Sequence, residues 1–313
     1  MRITPPGSDA PLVGRVAGAP ISWGVCEVPG WGHQLAPDVV LRQMRDIGLA
    51  ATEFGPDGFL PDAPAAKAGL LSAYGLRAVG QFVPAVLHDP GHDPLPRVRA
   101  ALADLLVAGA TTVVVAAAGG GDGYDDRPAP DAEGWNTLLA NLDRIDAAAA
   151  GAGLTATLHP HVGTLVETAE ETRRVLDGCG IALCLDTGHC LIGGGDPVDL
   201  AARVPDRIAH VHLKDVRRHL ADRVRSGELT YTQGVAAGMY APLGAGDIDV
   251  AAIVRGLEAH RYSGWYVLEQ DAVLTAPPGR DGAHDPLDDA RASLRHLLTL
   301  AETAAGPSRP PEG

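Results

Sequence analysis

Short apolar runs rich in β-branched residues alternate along this chain with longer segments of helical period. Eight such runs can be read: Ala19–Trp23, Ala50–Phe54, Arg77–Val83, Thr112–Ala117, Leu154–His159, Ile181–Asp186, Arg207–Leu213 and Trp265–Glu269. Between them lie amphipathic stretches such as Pro37–Ile47, Pro96–Ala108, Glu133–Ala150 and Glu167–Leu176. Strands separated by helices of this length predict βαβ units and a parallel sheet. Eight repeats within 313 residues fit a closed (β/α)8 TIM barrel better than an open doubly wound sheet. An open Rossmann-like sheet would show a GxGxxG turn after its first strand. Gly119-Gly120-Gly121 instead follows the fourth run and leads into GDGYDDRP, which reads as a strand-to-helix loop.

The repeat pattern predicts a single barrel domain over residues 15–304, with an N-terminal extension over 1–14 and a disordered tail over 305–313. One stretch breaks the rhythm. From Arg217 to Gly246 the chain is longer and less regular than a simple connection, which predicts an insertion over the barrel mouth.

Composition narrows the partners. The chain carries 39 acidic against 25 basic residues, a formal net charge of −14, with no compensating Lys/Arg-rich run. A nucleic-acid or anionic-membrane partner is therefore disfavoured. No apolar run approaches the length of a membrane span, and the N-terminus lacks the apolar stretch of a signal peptide. The cysteines, Cys26, Cys179, Cys184 and Cys190, form no CxxC pair, so a reducing cytoplasm is the expected setting.

The candidate chemistry lies where the later strands end. The fifth run closes on Leu158-His159-Pro160-His161 and the sixth on Leu185-Asp186-Thr187-Gly188-His189. The seventh reads His210-Val211-His212-Leu213-Lys214-Asp215, and the eighth reads Val267-Leu268-Glu269-Gln270-Asp271. In a barrel these ends converge on the face that carries the active site. Alternation puts His210, His212 and Lys214 on one side of their strand, and polar groups recurring there need buried partners. Each residue alone has a bland reading: a satisfied core histidine, Asp186 capping the next helix, Glu269 paired with an Arg. Ionisable groups at four successive strand ends point instead to a divalent-metal site. Mixed carboxylate and imidazole ligands suit Mn²⁺ or Co²⁺, with Zn²⁺, Fe²⁺ and Mg²⁺ as alternatives.

The motifs DTGH (Asp186–His189), HVHLKD (His210–Asp215) and Leu268-Glu269 resemble the sugar isomerase/epimerase superfamily of TIM barrels, related to xylose isomerase and endonuclease IV. PISWG (Pro20–Gly24), EFGPDGFLP (Glu53–Pro61), HPHVGTLVET (His159–Thr168) and PLGAGDID (Pro242–Asp249) are most similar to the inosose (2-keto-myo-inositol) dehydratases within it. The resemblance runs from Ala19 to Leu300. It implies Asp186, His212 and Glu269 as metal ligands. Where the superfamily commonly has a Glu at the end of the fifth strand, this chain has His159, which aligns best, with His161 or Glu167 as substitutes. The same HxHxGT pattern occurs in inosose dehydratase-like sequences.

Such a site is expected to bind a ketone and neighbouring hydroxyl of a polyol and to stabilise an enediolate. Loss of a β-hydroxyl as water then gives a dehydratase, and proton return gives an isomerase or epimerase. Elimination needs an added acid. His161, Lys214 and Glu53 are the candidates for proton transfer. Glu53 is expected to have a raised pKa if buried, while Lys214 could instead be tied up by Asp215 or Asp186. His189 is expected to orient Asp186 or touch substrate. Trp23 and Trp31 could form an aromatic wall against a cyclic polyol, their alternative being ordinary packing. The insertion, with Tyr231 and Tyr240, could close over the site. The partner is thus a small keto-sugar or polyol. A DNA-repair endonuclease of this fold would need a basic surface that the acidic chain lacks. Barrels of this superfamily are often dimers or tetramers, so a homo-oligomer is an allowed assembly.

Overall fold

The first strand falls earlier than the pattern suggests. In the computed structural model, which describes residues 11–121, 123–125, 127–278 and 285–304, β1 is Val16–Gly18. Ala19 still donates its N–H to Leu268 O, 3.2 Å away. Pro20–Trp23 then winds into a 3-10 turn that ends at Gly24 with φ 77°. Pro20 has no N–H for a sheet ladder and its fixed φ suits a helical first position, so APISW turns where its apolar character suggested a strand. Residues 1–10 and 305–313, the bulk of the expected extension and the whole tail, lie outside the described residues.

The remaining strands follow the expected order: β2 Ala51–Thr52, β3 Arg77–Ala78, β4 Gly80–Val86, β5 Thr112–Ala118, β6 Thr155–Leu158, β7 Ala182–Asp186, β8 Ile208–Leu213, β9 Asp215–Val216, β10 Tyr240–Ala241 and β11 Tyr266–Leu268. With β1, eight of them form one nine-stranded all-parallel sheet in the order β3-β2-β1-β11-β8-β7-β6-β5-β4. Its two edges, β3 and β4, are separated only by Val79. Across that break Val79 N–H donates to Thr52 O at 3.0 Å and Phe54 N–H to Gly80 O at 3.0 Å. The edges are therefore two pieces of one stave, and the sheet closes as an eight-stave barrel. Residues Thr112–Ala117 of β5 are buried throughout, as a strand wrapped on both faces requires.

The outer layer comprises α1 Pro37–Asp46, α2 Pro64–Ala73, α3 Leu95–Ala108, α4 Ala132–Ala152, α5 Ala169–Gly178, α6 Thr187–Ile192, α7 Pro197–Arg203, α8 Arg218–Arg225, α9 Tyr231–Ala236, α10 Val250–Ala259 and α11 Pro286–Ala304. Local chemistry sets their ends. Asp131 caps α4 by accepting from Gly134 N, and Gly153 at φ 76° terminates it in the left-handed region. Thr168 and Glu171 form a reciprocal capping box that starts α5 two residues later than the apolar pattern implied.

The irregular segment from Arg217 to Gly246 contains α8, α9 and β10, which pairs antiparallel with β9 just before the segment. It is fastened at both ends to one carboxylate. Buried Asp215 accepts from the backbone N–H groups of Val216, Gly244, Gly246 and Ile248 at 2.8–3.1 Å. A Cβ at Gly246 would run into that carboxylate, which accounts for the glycine in PLGAGDID. The motif is thus an anchor for the mouth insertion. Removing the carboxylate leaves these donors without a partner, at roughly 1 kcal/mol or more each. Asp215→Ala is expected to lower stability by about 3 kcal/mol in urea unfolding, and a change of only a few tenths would contradict this anchoring role.

Candidate active site

Four adjacent staves deliver the central side chains. His159 follows β6, its N–H bonded to Val115 O at 2.8 Å. Asp186 ends β7 and pairs in register with His212 of β8. Glu269 follows β11 and donates its N–H to Leu213 O. Asp186 divides its work: Oδ1 caps α6 by accepting from His189 N at 2.8 Å, which leaves Oδ2 for the barrel interior. There Oδ2 lies 3.3 Å from His159 Nε2 and 3.7 Å from His212 Nδ1. Nδ1 of His212 is also 3.0 Å from Glu269 Oε2, without an aligned hydrogen bond.

These spacings match donors sharing one cation. Ligand atoms at about 2.1 Å from an ion sit roughly 3.0–3.5 Å from one another. One donor atom each from Asp186, His212 and Glu269 falls within 4.8 Å of the others, all three residues being buried. An imidazole nitrogen between two buried carboxylates needs positive charge beside it, as a proton or a metal ion. The surroundings indeed push the His212 pKa well up: burial opposes this, but Cys184, Glu269 and Glu53 outweigh it. The donor set therefore fits a divalent metal, with His159 beside it as the fifth-strand nitrogen.

Lys214 supplies the second positive charge. Its buried ammonium lies 2.6 Å from Asp271 Oδ1, 2.8 Å from Glu269 Oε1 and 3.4 Å from Asp186 Oδ2, and 3.0 Å from His189 Nε2. Burial alone would lower its pKa, yet these carboxylates hold it well above the ordinary value. Asp271 stays raised, because burial and Glu269 outweigh Lys214. Its Oδ2 accepts from the Tyr231 hydroxyl, which in turn lies 3.0 Å from the Tyr240 hydroxyl.

The groups open on a mouth cavity of about 60 Å³, lined by Glu53, His159, His161, His212, Glu269 and Asp271 together with Trp31, Phe82, Tyr124 and Tyr231. A larger groove of about 740 Å³ lies outside the barrel between α5 and α7, but the ionisable cluster faces the smaller one. Three loops close the mouth. The Tyr124 hydroxyl donates to Glu27, and Thr232 N–H of α9 donates to Asp125 Oδ1 at 2.9 Å.

His161 sits at the cavity wall as a neutral imidazole, its pKa driven down by burial, His159 and Lys214. Nδ1 is 2.6 Å from Val162 O, an acceptor only, so Nδ1 carries the proton and Nε2 is the basic atom. Trp31 also faces the cavity, its indole N–H donating to Ala272 O at 2.9 Å.

Other expected residues are placed differently. Trp23 points away from the mouth into the layer beneath α1, where it is buried and its indole N–H donates to Gln43 Oε1 at 2.8 Å. The 3-10 turn over Pro20–Trp23 rotates it there, so its role is packing. His189 lies behind His161, ring centroids 3.7 Å apart, and does not line the cavity. Lys214 likewise stands behind Asp271 and Glu269 and pairs with Asp186, while Asp215 is occupied by the loop. Glu167 is remote from the cluster, accepting from Gly163 N and pairing with Arg127 at 3.3 Å. Glu53 has a lowered pKa where a raised one was expected: burial pushes it up, but His212 and His210 more than offset that. Asp271, Tyr124 and Glu27 were not anticipated as site residues. Asp271 could have been found, since it is two residues beyond Glu269 in the same alternation; Tyr124 and Glu27 lie in loops without period.

A family model described as "Xylose isomerase-like TIM barrel" matches residues 41–300. The chain belongs to that family. It is 35% identical over 279 residues to an inosose dehydratase of Geobacillus kaustophilus, covering 84% of this chain and 90% of the relative. It is 33% identical over 310 residues to the rhizopine catabolism protein MocC of Rhizobium meliloti, covering 96% and 92%. Among solved structures, the IolI protein with a bound zinc atom superposes with TM-score 0.66 at 13% identity, over 92% of this chain and 98% of that one. That last likeness is one of fold. No helix among the described residues is long and apolar enough to cross a membrane.

If the donors hold a metal, Asp186→Ala removes a central ligand. Its Mn²⁺ affinity in calorimetric titration is expected to fall by more than the roughly 10–100-fold typical of losing an outer partner. Unchanged affinity would remove Asp186 from the ligand set.

Proposed function

We propose that this protein is a metal-dependent hydro-lyase that removes water from 2-keto-myo-inositol or a closely related keto-polyol. What carries the reading is a base and a proton chain meeting at one cavity beside a metal-type donor set, in a chain about one-third identical to inosose dehydratases over most of its length. Asp186, His212, Glu269 and His159 would hold the ion. When bound, a divalent ion there supplies a Lewis acid for negative charge developing on a ketone oxygen.

The chain's own residues supply the rest. His161, neutral and with Nε2 free, takes the carbon-bound proton beside the ketone. The electron pair of that C–H bond becomes a C=C bond as the β-hydroxyl departs. The departing oxygen takes a proton and leaves as water. Tyr231 gives its hydroxyl proton to the departing oxygen and takes one from Asp271, whose raised pKa favours the acid form. The Lys214 ammonium beside Asp271 stabilises the carboxylate left behind. The proton gained by His161 returns through solvent to Asp271 on product release. Trp31 offers a flat apolar face to the ring carbons. The closed mouth keeps bulk water away from the base.

An isomerase or epimerase would use the same base and return the proton to carbon, with no need for a second donor. The Lys214–Asp271–Tyr231 chain is what favours elimination. The test is to incubate 2-keto-myo-inositol with the Mn²⁺-loaded protein and follow enone absorbance. Dehydration predicts absorbance growing with protein concentration; a new ketose by chromatography without absorbance would establish the alternative.

A further inference from the structure

Glu53 reaches the cavity from β2, and its side-chain hydrogen bonds both cross the barrel interior to one stave, β8. A single oxygen, Oε1, lies 2.8 Å from His210 Nε2 and 3.1 Å from His212 Nε2. A carboxylate oxygen within hydrogen-bond distance of two ring nitrogens accepts from both. Both Nε2 atoms must therefore carry hydrogen. For His212 that settles which nitrogen remains: Nδ1, the atom facing Asp186 and Glu269.

The surroundings enforce this from below as well. His210 sits one alternation earlier on the same face of β8, fully buried, with Nδ1 unpartnered. It acts as a second donor to the same Glu53 oxygen, its ring turned 75° from that of His212, so the oxygen is held from two directions. The backbone fixes Glu53 in turn, since its N–H donates to Gly18 O at 3.0 Å and Phe54 N–H donates to Gly80 O at 3.0 Å. A Cβ at Gly80 would stand 3.3 Å from Glu53 Oε1, so the glycine leaves room for the carboxylate to reach across.

We infer that Glu53 is a positioning residue for metal binding: it holds His212 in the tautomer and ring orientation that present Nδ1 to the metal-type cluster. This rests on the metal-site reading above and replaces a role for Glu53 as acid or base. A carboxylate behind a ligating imidazole raises the basicity of the ligand nitrogen and fixes its direction, and losing such a partner typically costs about 10–100-fold in metal affinity.

The test uses the full chain stripped of metal and titrated with Mn²⁺ by calorimetry, beside turnover measured at increasing Mn²⁺. Glu53→Gln is expected to weaken Mn²⁺ binding by about 10–100-fold, while excess Mn²⁺ restores kcat towards that of the unmodified protein. Glu53→Asp, which keeps the charge and shortens the reach, should fall between the two and serves if the Gln variant does not fold. Circular dichroism of the metal-free proteins controls for folding. Unchanged Mn²⁺ affinity with turnover that no excess of Mn²⁺ rescues would overturn the inference and return Glu53 to the proton-transfer machinery. Absence of Mn²⁺ binding by the unmodified protein would overturn the metal site itself, and this inference with it.

Discussion

Everything at the mouth of this barrel depends on neutralising buried carboxylates. Glu53, Asp186, Glu269 and Asp271 are each less than a tenth exposed; Glu53, Glu269 and Asp271 line one small cavity and Asp186 lies behind it, beside Lys214 and His212. Uncompensated, such a group would give up its charge or destabilise the fold. The barrel answers with Lys214 between three of them and His212 between the other pairings. The result is a site whose charge balance is close, and in which one more cation has a place prepared: the nitrogen of His212 between two carboxylates.

That constraint explains the division of labour among the staves. Strands β6, β7, β8 and β11 are neighbours in the sheet, so their end residues share one half of the mouth. The proton-handling groups stand beside it: His161 two residues past His159, Asp271 two residues past Glu269, and Tyr231 lowered from the insertion. The insertion is held by Asp215, which spends its charge on backbone N–H groups and none on Lys214. Two adjacent residues of HVHLKD thus serve separate ends, one electrostatic at the cavity and one mechanical at the lid.

Much of this was legible in the chain. Strand-to-helix alternation yielded the barrel, and period-two patterning put His210, His212 and Lys214 on the inner face. What escaped the pattern has physical causes. Val16–Gly18 is too short and too small-sided to stand out, while the more apolar APISW that follows is turned by Pro20; Trp23 was misplaced for the same reason. Lys214 was expected at the mouth, but alternation gives a face and not a depth, and three carboxylates draw it inward. The Glu53 pKa ran opposite to expectation because burial was visible in the sequence and the two imidazoles across the barrel were not. Tyr124 and Glu27 meet only through loop closure, which leaves no periodic trace.

The central claim is that one divalent ion belongs between Asp186 Oδ2, His212 Nδ1, Glu269 Oε2 and the His159 imidazole. Anomalous diffraction from crystals equilibrated with Mn²⁺ tests it directly. A single strong peak within bonding distance of those four side chains is expected, with Glu53 still hydrogen-bonded to His212 Nε2. A peak seated elsewhere in the mouth, or none at saturating Mn²⁺ with the four side chains unmoved, would contradict it.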